Sequence, residues 1–127
     1  MLELTFYKKI HNKNYEAEII EVSEKCYERL AKIGFAKKVE YKNVKLLIED
    51  EDYEVNVTEL NRENRSILII LIENERHKEL QKSFSQIDDN PTIKEIREEF
   101  KYIKELTEIY EFLNLDVHQY FSYDWYI

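Results

Sequence analysis

Six consecutive apolar residues, 67–72, constrain the fold more than any other stretch of this 127-residue chain. An unbroken apolar run has no polar face, so both of its faces require burial by other parts of the protein. A strand buried on both sides and the centre of a buried helix both fit this pattern. The β-branched isoleucines and the shortness of the run favour a strand. The sequence therefore predicts that residues 66–73 form the central strand of a sheet covered on each face.

Alternating apolar and polar side chains predict the other strands, because successive residues of a strand point to opposite faces. The pattern occurs in residues 2–6, 15–22, 45–49 and 53–57, with turns at residues 11–14 and 50–52. A helix over residues 16–22 remains an alternative, since alanine and glutamate favour helix. Ser23 is a favourable N-cap and Gly34 a favourable C-cap for a short helix over residues 24–33.

After the central segment the apolar spacing becomes helical. Asn74 is expected to cap a helix whose buried side is Leu80, Phe84 and Ile87. A loop at residues 88–91 precedes the longest helix, which ends near Asn114 and carries one apolar stripe. The stripe consists of Ile93, Ile96, Phe100, Ile103, Leu106, Tyr110 and Leu113. The fold class predicted is α+β, a single domain over residues 1–127 with an antiparallel meander of about five or six strands, a short helix and a C-terminal helical pair packed on it.

Composition restricts the classes of function. The formal net charge is −8, which argues against direct binding of nucleic acid because phosphates repel an acidic surface. The single cysteine, Cys26, excludes an internal disulfide, and the N-terminus lacks the continuous apolar segment of a signal peptide. No apolar run approaches the roughly 20 residues that cross a bilayer. A cytoplasmic protein without membrane contact is therefore expected.

The residues that most often carry catalysis or bind metals are scattered. His11, His77 and His118 show no zinc-ligand spacing, and Cys26 lies on the apolar side of its predicted helix. One glycine cannot build a phosphate-binding loop, and the acidic run at residues 49–52 lacks the ligand spacing of a calcium loop. The sequence therefore predicts no catalytic residue, metal or cofactor. The open alternative is a small enzyme with an unfamiliar site.

Acidic clusters are the first candidate binding features. Glu49, Asp50, Glu51 and Asp52 form a predicted hairpin tip, and Glu105, Glu108, Glu111 and Asp116 gather toward the end of the last helix. Carboxylates near a helix C-terminus cost about 0.3–1 kcal/mol each at low salt. The ordinary role of such groups is solubility. Taken together, they favour a face that is complementary to a basic protein.

The aromatic tail at residues 117–127 is the second candidate binding feature. Its aromatic residues include Tyr120, Tyr123, Trp125 and Tyr126. Tyrosine and tryptophan dominate binding hot spots, so these side chains are candidate partner contacts. The competing expectation, which we favour, is that the tail docks as an edge strand or folds over the core.

These features predict a non-enzymatic acidic inhibitor that binds a basic, nucleic-acid-handling protein such as a nuclease. A phage anti-defence protein, such as an anti-CRISPR, fits this description. An immunity protein that neutralises a toxin nuclease fits it almost equally well. The alternative is a structural protein that forms a homodimer through its aromatic tail.

Overall fold

The computed structural model describes residues 2–35, 37–86 and 93–123. Five strands and three helices lie in these ranges: β1 (Leu2–Lys9), β2 (Tyr15–Val22), α1 (Glu24–Lys32), β3 (Lys42–Ile48), β4 (Glu51–Glu59), α2 (Arg62–Gln86), α3 (Ile93–Asn114) and β5 (His118–Tyr123). The strands form one antiparallel sheet in the order β2-β1-β5-β4-β3. The predicted α+β class, with a short helix and a C-terminal helical pair, is confirmed.

The prediction of a central strand at residues 66–73 is wrong, because this segment lies inside α2. The flanks decide between the two readings of an apolar run, and no glycine or proline occurs between Asn61 and the end of α2. The Asn61 side chain accepts a hydrogen bond from the Asn64 N–H at 2.8 Å and so begins the helix. Leu68 and Ile72, one helical turn apart, are fully buried, whereas Ile70 is 58% exposed. Asn74, expected as an N-cap, therefore lies in mid-helix.

Residues 118–123 of the tail form a central strand rather than the expected edge strand. β5 lies between the β1–β2 and β3–β4 hairpins, and its Phe121 pairs with both Phe6 of β1 and Thr58 of β4. β5 covers the inner edge of each hairpin, and β2 and β3 remain as the outer edges of the sheet. Trp125 and Tyr126 lie outside the described residues, as do Ile87 and the expected loop at 88–91.

Two apolar clusters lie on opposite faces of the sheet, because neighbouring residues of a strand point in opposite directions. Phe6 belongs to the large cluster beneath the helices, together with Leu4, Ile20, Phe121, Leu68, Ile72, Leu106 and Ile109. Tyr7 belongs to the small cluster, where it packs with Leu46 of β3 and Val57 of β4. The β3–β4 hairpin thus covers the side of the sheet that the helices leave open.

Arg65 connects α2 to the ends of α3 and β4 and to the start of β5. Its guanidinium donates hydrogen bonds to the backbone carbonyls of Leu60, Leu113, Leu115 and His118. These bonds satisfy carbonyl groups at the helix end and in the loops, of which the Leu115 carbonyl also accepts from the His118 N–H at 3.5 Å. Over the part of the chain that is described, no helix is both long and apolar enough to span a membrane.

Candidate functional site: an acidic cleft between two hairpin turns

Two hairpin turns use left-handed backbone conformations that the sequence supplies without glycine. Asn12 and Lys13 have φ angles of 54° and 63° in the β1–β2 turn. Glu49 and Asp50 have φ angles of 52° and 63° and form the entire β3–β4 turn. Two left-handed residues in succession match the twist of a tight hairpin. The turn therefore begins at Glu49, one residue earlier than predicted.

The two turns are joined by a pair of hydrogen bonds between Asn14 and Asp50. The Asn14 Nδ2 group donates to the Asp50 Oδ1 atom at 3.0 Å, and the Asp50 N–H donates to the Asn14 Oδ1 atom at 3.0 Å. Asn14 is only 6% exposed and also forms an isolated parallel bridge with Leu47. The outermost strands of the sheet, β2 and β3, therefore meet at this end.

A cleft of about 530 Å³ opens beside this contact. Its lining combines three acids with apolar and aromatic side chains: Ile10, His11, Asn14, Tyr15, Glu16, Ala17, Ile48, Glu49 and Asp50. Among the described residues that line it, none is a lysine or arginine. The volume falls in the range of about 300–1,000 Å³ that is typical of ligand sites. We call this feature the acidic cleft, and its chemistry suits a cationic group with an apolar stem.

The predicted acidic tip contributes unequally to this surface. Glu49, Glu51 and Asp52 are exposed. The Asp50 carboxylate is held by Asn14 and so has a structural role as well. The Tyr53 hydroxyl donates to the Glu51 carboxylate at 2.9 Å, and this hydrogen bond raises the pKa of Tyr53.

Glu105, one of the acids predicted as partner contacts on the last helix, instead forms hydrogen bonds within the protein. Its carboxylate accepts hydrogen bonds from the Ser23 N–H at 2.6 Å and the Ser23 hydroxyl at 3.0 Å. The Ser23 hydroxyl in turn accepts from the Cys26 N–H at 3.2 Å, which confirms Ser23 as the N-cap of α1. Glu108 and Glu111 are exposed on α3.

Asp116, the last acid of this predicted group, is exposed close to Arg65. Burial lowers the pKa of Arg65, and the charge of Asp116 opposes that shift. Asp116 therefore acts electrostatically on the arginine that binds the carbonyls at the end of α3.

Tyr120 and Tyr123, predicted as partner contacts, pack within the chain. Tyr123 is 4% exposed and stacks on Tyr27, with ring centroids 4.9 Å apart. Tyr120 is half-buried in the small cluster, where its ring meets Tyr15 edge-on at 5.8 Å. The aromatic density of β5 thus matches a strand that packs on both faces.

Cys26 has the environment of a core residue. It is fully buried, and burial raises the pKa of its thiol far above the usual range, with a further contribution from Glu105. The other charged groups that act on it are Arg29 and Glu75, and no histidine is among them. A thiol nucleophile needs a base or a cationic environment that stabilises the thiolate. Around Cys26, burial, Glu105 and Glu75 raise the pKa of the thiol, whereas Arg29 opposes them.

His118 is buried because a β-bulge turns it toward the helices. Tyr7 pairs with Tyr120 and Lys8 with His118, so Gln119 is an extra residue in β5. The His118 ring stacks on Phe112 with centroids 5.2 Å apart, and its Nδ1 atom lies 3.1 Å from the Phe112 carbonyl oxygen. Its Nε2 atom lies 3.4 Å from the Glu18 carboxylate, an ion-pair distance without good hydrogen-bond geometry. These contacts hold the ring in place.

A buried polar group that the sequence reasoning missed joins the three helices. Arg29 of α1 lies 3.2 Å from the Glu79 carboxylate and 4.6 Å above the Tyr102 ring. The Tyr102 hydroxyl donates to Glu75 at 2.9 Å. The i, i+4 spacing of Glu75 and Glu79 on α2 is the only sequence signal for it. Within the described ranges, no three or more His, Cys, Asp or Glu side chains are grouped so that they could hold a metal ion.

No family model matches the chain, and neither does any curated protein sequence or solved structure. The geometry and charge of the chain's own surfaces are therefore what support a function.

Proposed function

We propose that this protein is a non-enzymatic inhibitor that binds a basic, nucleic-acid-handling protein through the acidic cleft. The observation that carries the proposal is the convergence of Glu16 with Glu49 and Asp50 around one concavity. These residues come from separate hairpins, and the Asn14–Asp50 contact brings them together. A protein that grips phosphates presents arginine or lysine side chains, which such a cleft can receive.

The lining of the cleft suits an arginine side chain in particular. Carboxylates form short, paired hydrogen bonds with a guanidinium group. The Tyr15 ring offers a surface on which the guanidinium or its apolar stem can pack. Arginine is enriched at binding hot spots, so one inserted side chain can contribute much of the affinity.

The charge of the whole protein supports the same kind of partner. A net charge of −8 accelerates encounter with a basic surface and weakens association as salt screens the charges. A phage-borne inhibitor of a defence nuclease, such as an anti-CRISPR, and an immunity protein against a toxin nuclease are the two settings that fit. A homodimer formed through the aromatic tail gains no support from β5, whose Tyr123 is buried.

The test is capture from a nuclease-treated host lysate by the immobilised protein, with elution by rising salt. The expected result is a basic, nucleic-acid-handling protein that elutes as salt rises and whose nucleic-acid binding or cleavage the protein inhibits. The variant with Glu16→Gln and Glu49→Gln should lose this capture. The matched control, with Glu28→Gln and Glu63→Gln, removes the same charge from exposed sites outside the cleft lining and should retain it.

Two outcomes would end the proposal. One is that no basic protein stays bound when an unrelated acidic protein is added as a competitor. The other is equal loss of capture by the cleft variant and its control, because that would reduce the effect to net charge.

A further inference from the structure

The far half of the α2–α3 hairpin extends beyond the core. Among residues 80–85 and 93–101, none is buried. The two helices still pack together there, because the Ser83 hydroxyl donates to the Glu99 carboxylate at 3.0 Å. The sequence predicted Phe84 on a buried side, yet this ring is 69% exposed. The hairpin therefore presents a paired but largely uncovered end.

One side of this end carries the apolar residues of both helices. The Arg76 guanidinium lies 4.9 Å over the Tyr110 ring, which places these two residues on the same side of the hairpin. Leu80 and Phe84 follow Arg76 at helical spacing, and Ile103, Phe100 and Ile96 precede Tyr110 in the same way. The exposed fractions are 57% for Phe100, 71% for Ile93 and 37% for Ile96.

The exposed area is sufficient to form the centre of an interface. A phenylalanine side chain carries about 150–250 Å², so Phe84 and Phe100 together expose about 200–300 Å². The isoleucines extend this patch toward the upper end of the roughly 300–600 Å² seen on monomers. A standard interface buries about 800 Å² on each partner. The apolar patch would supply a large share of that area.

We propose that this face binds a second copy of the chain, with the two hairpins packed antiparallel about a two-fold axis. A two-fold axis brings the same patch of each chain together, so an exposed apolar stripe covers its own copy. The stripe from Ile96 to Tyr110 has its middle near Ile103. That position is therefore where the axis passes.

The charges of α3 have the symmetry that this arrangement requires. Its exposed flank is basic at Arg97, Lys101 and Lys104 and acidic at Glu108 and Glu111. None of these five side chains forms an ion pair with another described residue. Packed antiparallel about an axis near Ile103, the basic half of each helix faces the acidic half of the other. Glu108 and Glu111 are unfavourable near the C-terminus of their own helix. In this arrangement they pair with basic residues of the second copy.

Sedimentation equilibrium of the full chain over a wide concentration range tests the dimer. The expected result is a monomer–dimer equilibrium. Phe100→Glu should raise the dissociation constant by about a hundredfold or more, because the substitution occurs on both sides of the axis. Ile19→Glu is the matched control, since Ile19 is 51% exposed on β2 and points to the face opposite that of Ile20, which packs beneath the helices. A monomer at every concentration overturns the proposal.

Charge reversal tests the antiparallel orientation. Arg97→Glu alone and Glu111→Arg alone should each weaken the dimer by about tenfold, and the double variant should restore it. A dimer that the double variant leaves weak overturns the antiparallel packing. The result is independent of the acidic cleft, because Glu16→Gln with Glu49→Gln should leave the dimer unchanged. A heterologous protein that binds the stripe while the chain stays monomeric also contradicts the proposal.

Discussion

Asn14 and Asp50 lie 36 residues apart in the chain, yet each donates one hydrogen bond to the other at 3.0 Å. Through this contact the outermost strands of an open sheet meet at one end, beside Tyr15 and Ile48 of the small apolar cluster. The carboxylates of the acidic cleft owe their proximity to the same contact. Stability and candidate function thus depend on one side-chain amide.

Asn14→Ala is expected to lower the free energy of unfolding by about 2 kcal/mol. The substitution removes both hydrogen bonds to Asp50 and leaves the part-buried Asp50 N–H without this partner. Urea denaturation measures the loss, and a cycle with Asp50→Ala should give a coupling of about 1 kcal/mol or more. The matched control is Asn43→Ala, which breaks an exposed amide pair with Asn56 and should cost less than about 0.5 kcal/mol.

Glu105→Ala is expected to cost about 2 kcal/mol of stability, because it removes the acceptor for the Ser23 N–H and hydroxyl at the start of α1. Glu108→Ala removes the same charge from an exposed site of α3 and should change stability by less than about 0.5 kcal/mol. Thermal or urea unfolding of the two variants gives the comparison. Equal effects would contradict an internal role for Glu105.

The elements that the sequence predicted well are those specified locally. The alternation in β1 and β2 and the Ser23 N-cap each involve residues close in the chain, and all three are confirmed. Gly34 has a φ of 74°, in the left-handed region that a residue after a helix often adopts. Short-range chemistry suffices for each of these features.

The errors come from contacts that are distant in sequence. Residues 67–72 have no period of their own, so the run does not show which of its side chains α3 and the sheet cover. β5 is central because two hairpins leave edges for it, which the tail alone does not encode. The pairing of Asn14 with Asp50 and of Ser23 with Glu105 has no local signature at all. The acidic tip was found from charge alone, but charge does not show that Glu16 lies beside it in the cleft.

Glu49→Asn is expected to raise stability by about 0.5–1 kcal/mol and at the same time weaken capture of a basic partner. Glu49 has a φ of 52°, which asparagine adopts at lower cost than glutamate. The substitution also removes one of the three carboxylates that line the cleft. Urea denaturation and the lysate capture assay report the two effects separately. Glu51 lies outside the turn and the cleft lining. Glu51→Asn should therefore leave both the stability and the capture of a basic partner nearly unchanged.

The protein is expected to unfold cooperatively in alkali. Burial raises the pKa of Tyr41, Tyr102 and Tyr123 above the ordinary value of 10.0, and for Tyr102 a hydrogen bond to Glu75 adds to the shift. Above pH 10 the unfolded chain therefore releases protons that the folded chain retains. The contribution of these tyrosines to stability is fully present below pH 10 and is lost as the pH rises above it. Tyrosine absorbance at 295 nm and far-UV circular dichroism should change together in one steep transition. Tyr102→Phe should make the dependence of the unfolding free energy on pH shallower above pH 10, and an unchanged slope would show that Tyr102 already ionises in the folded protein.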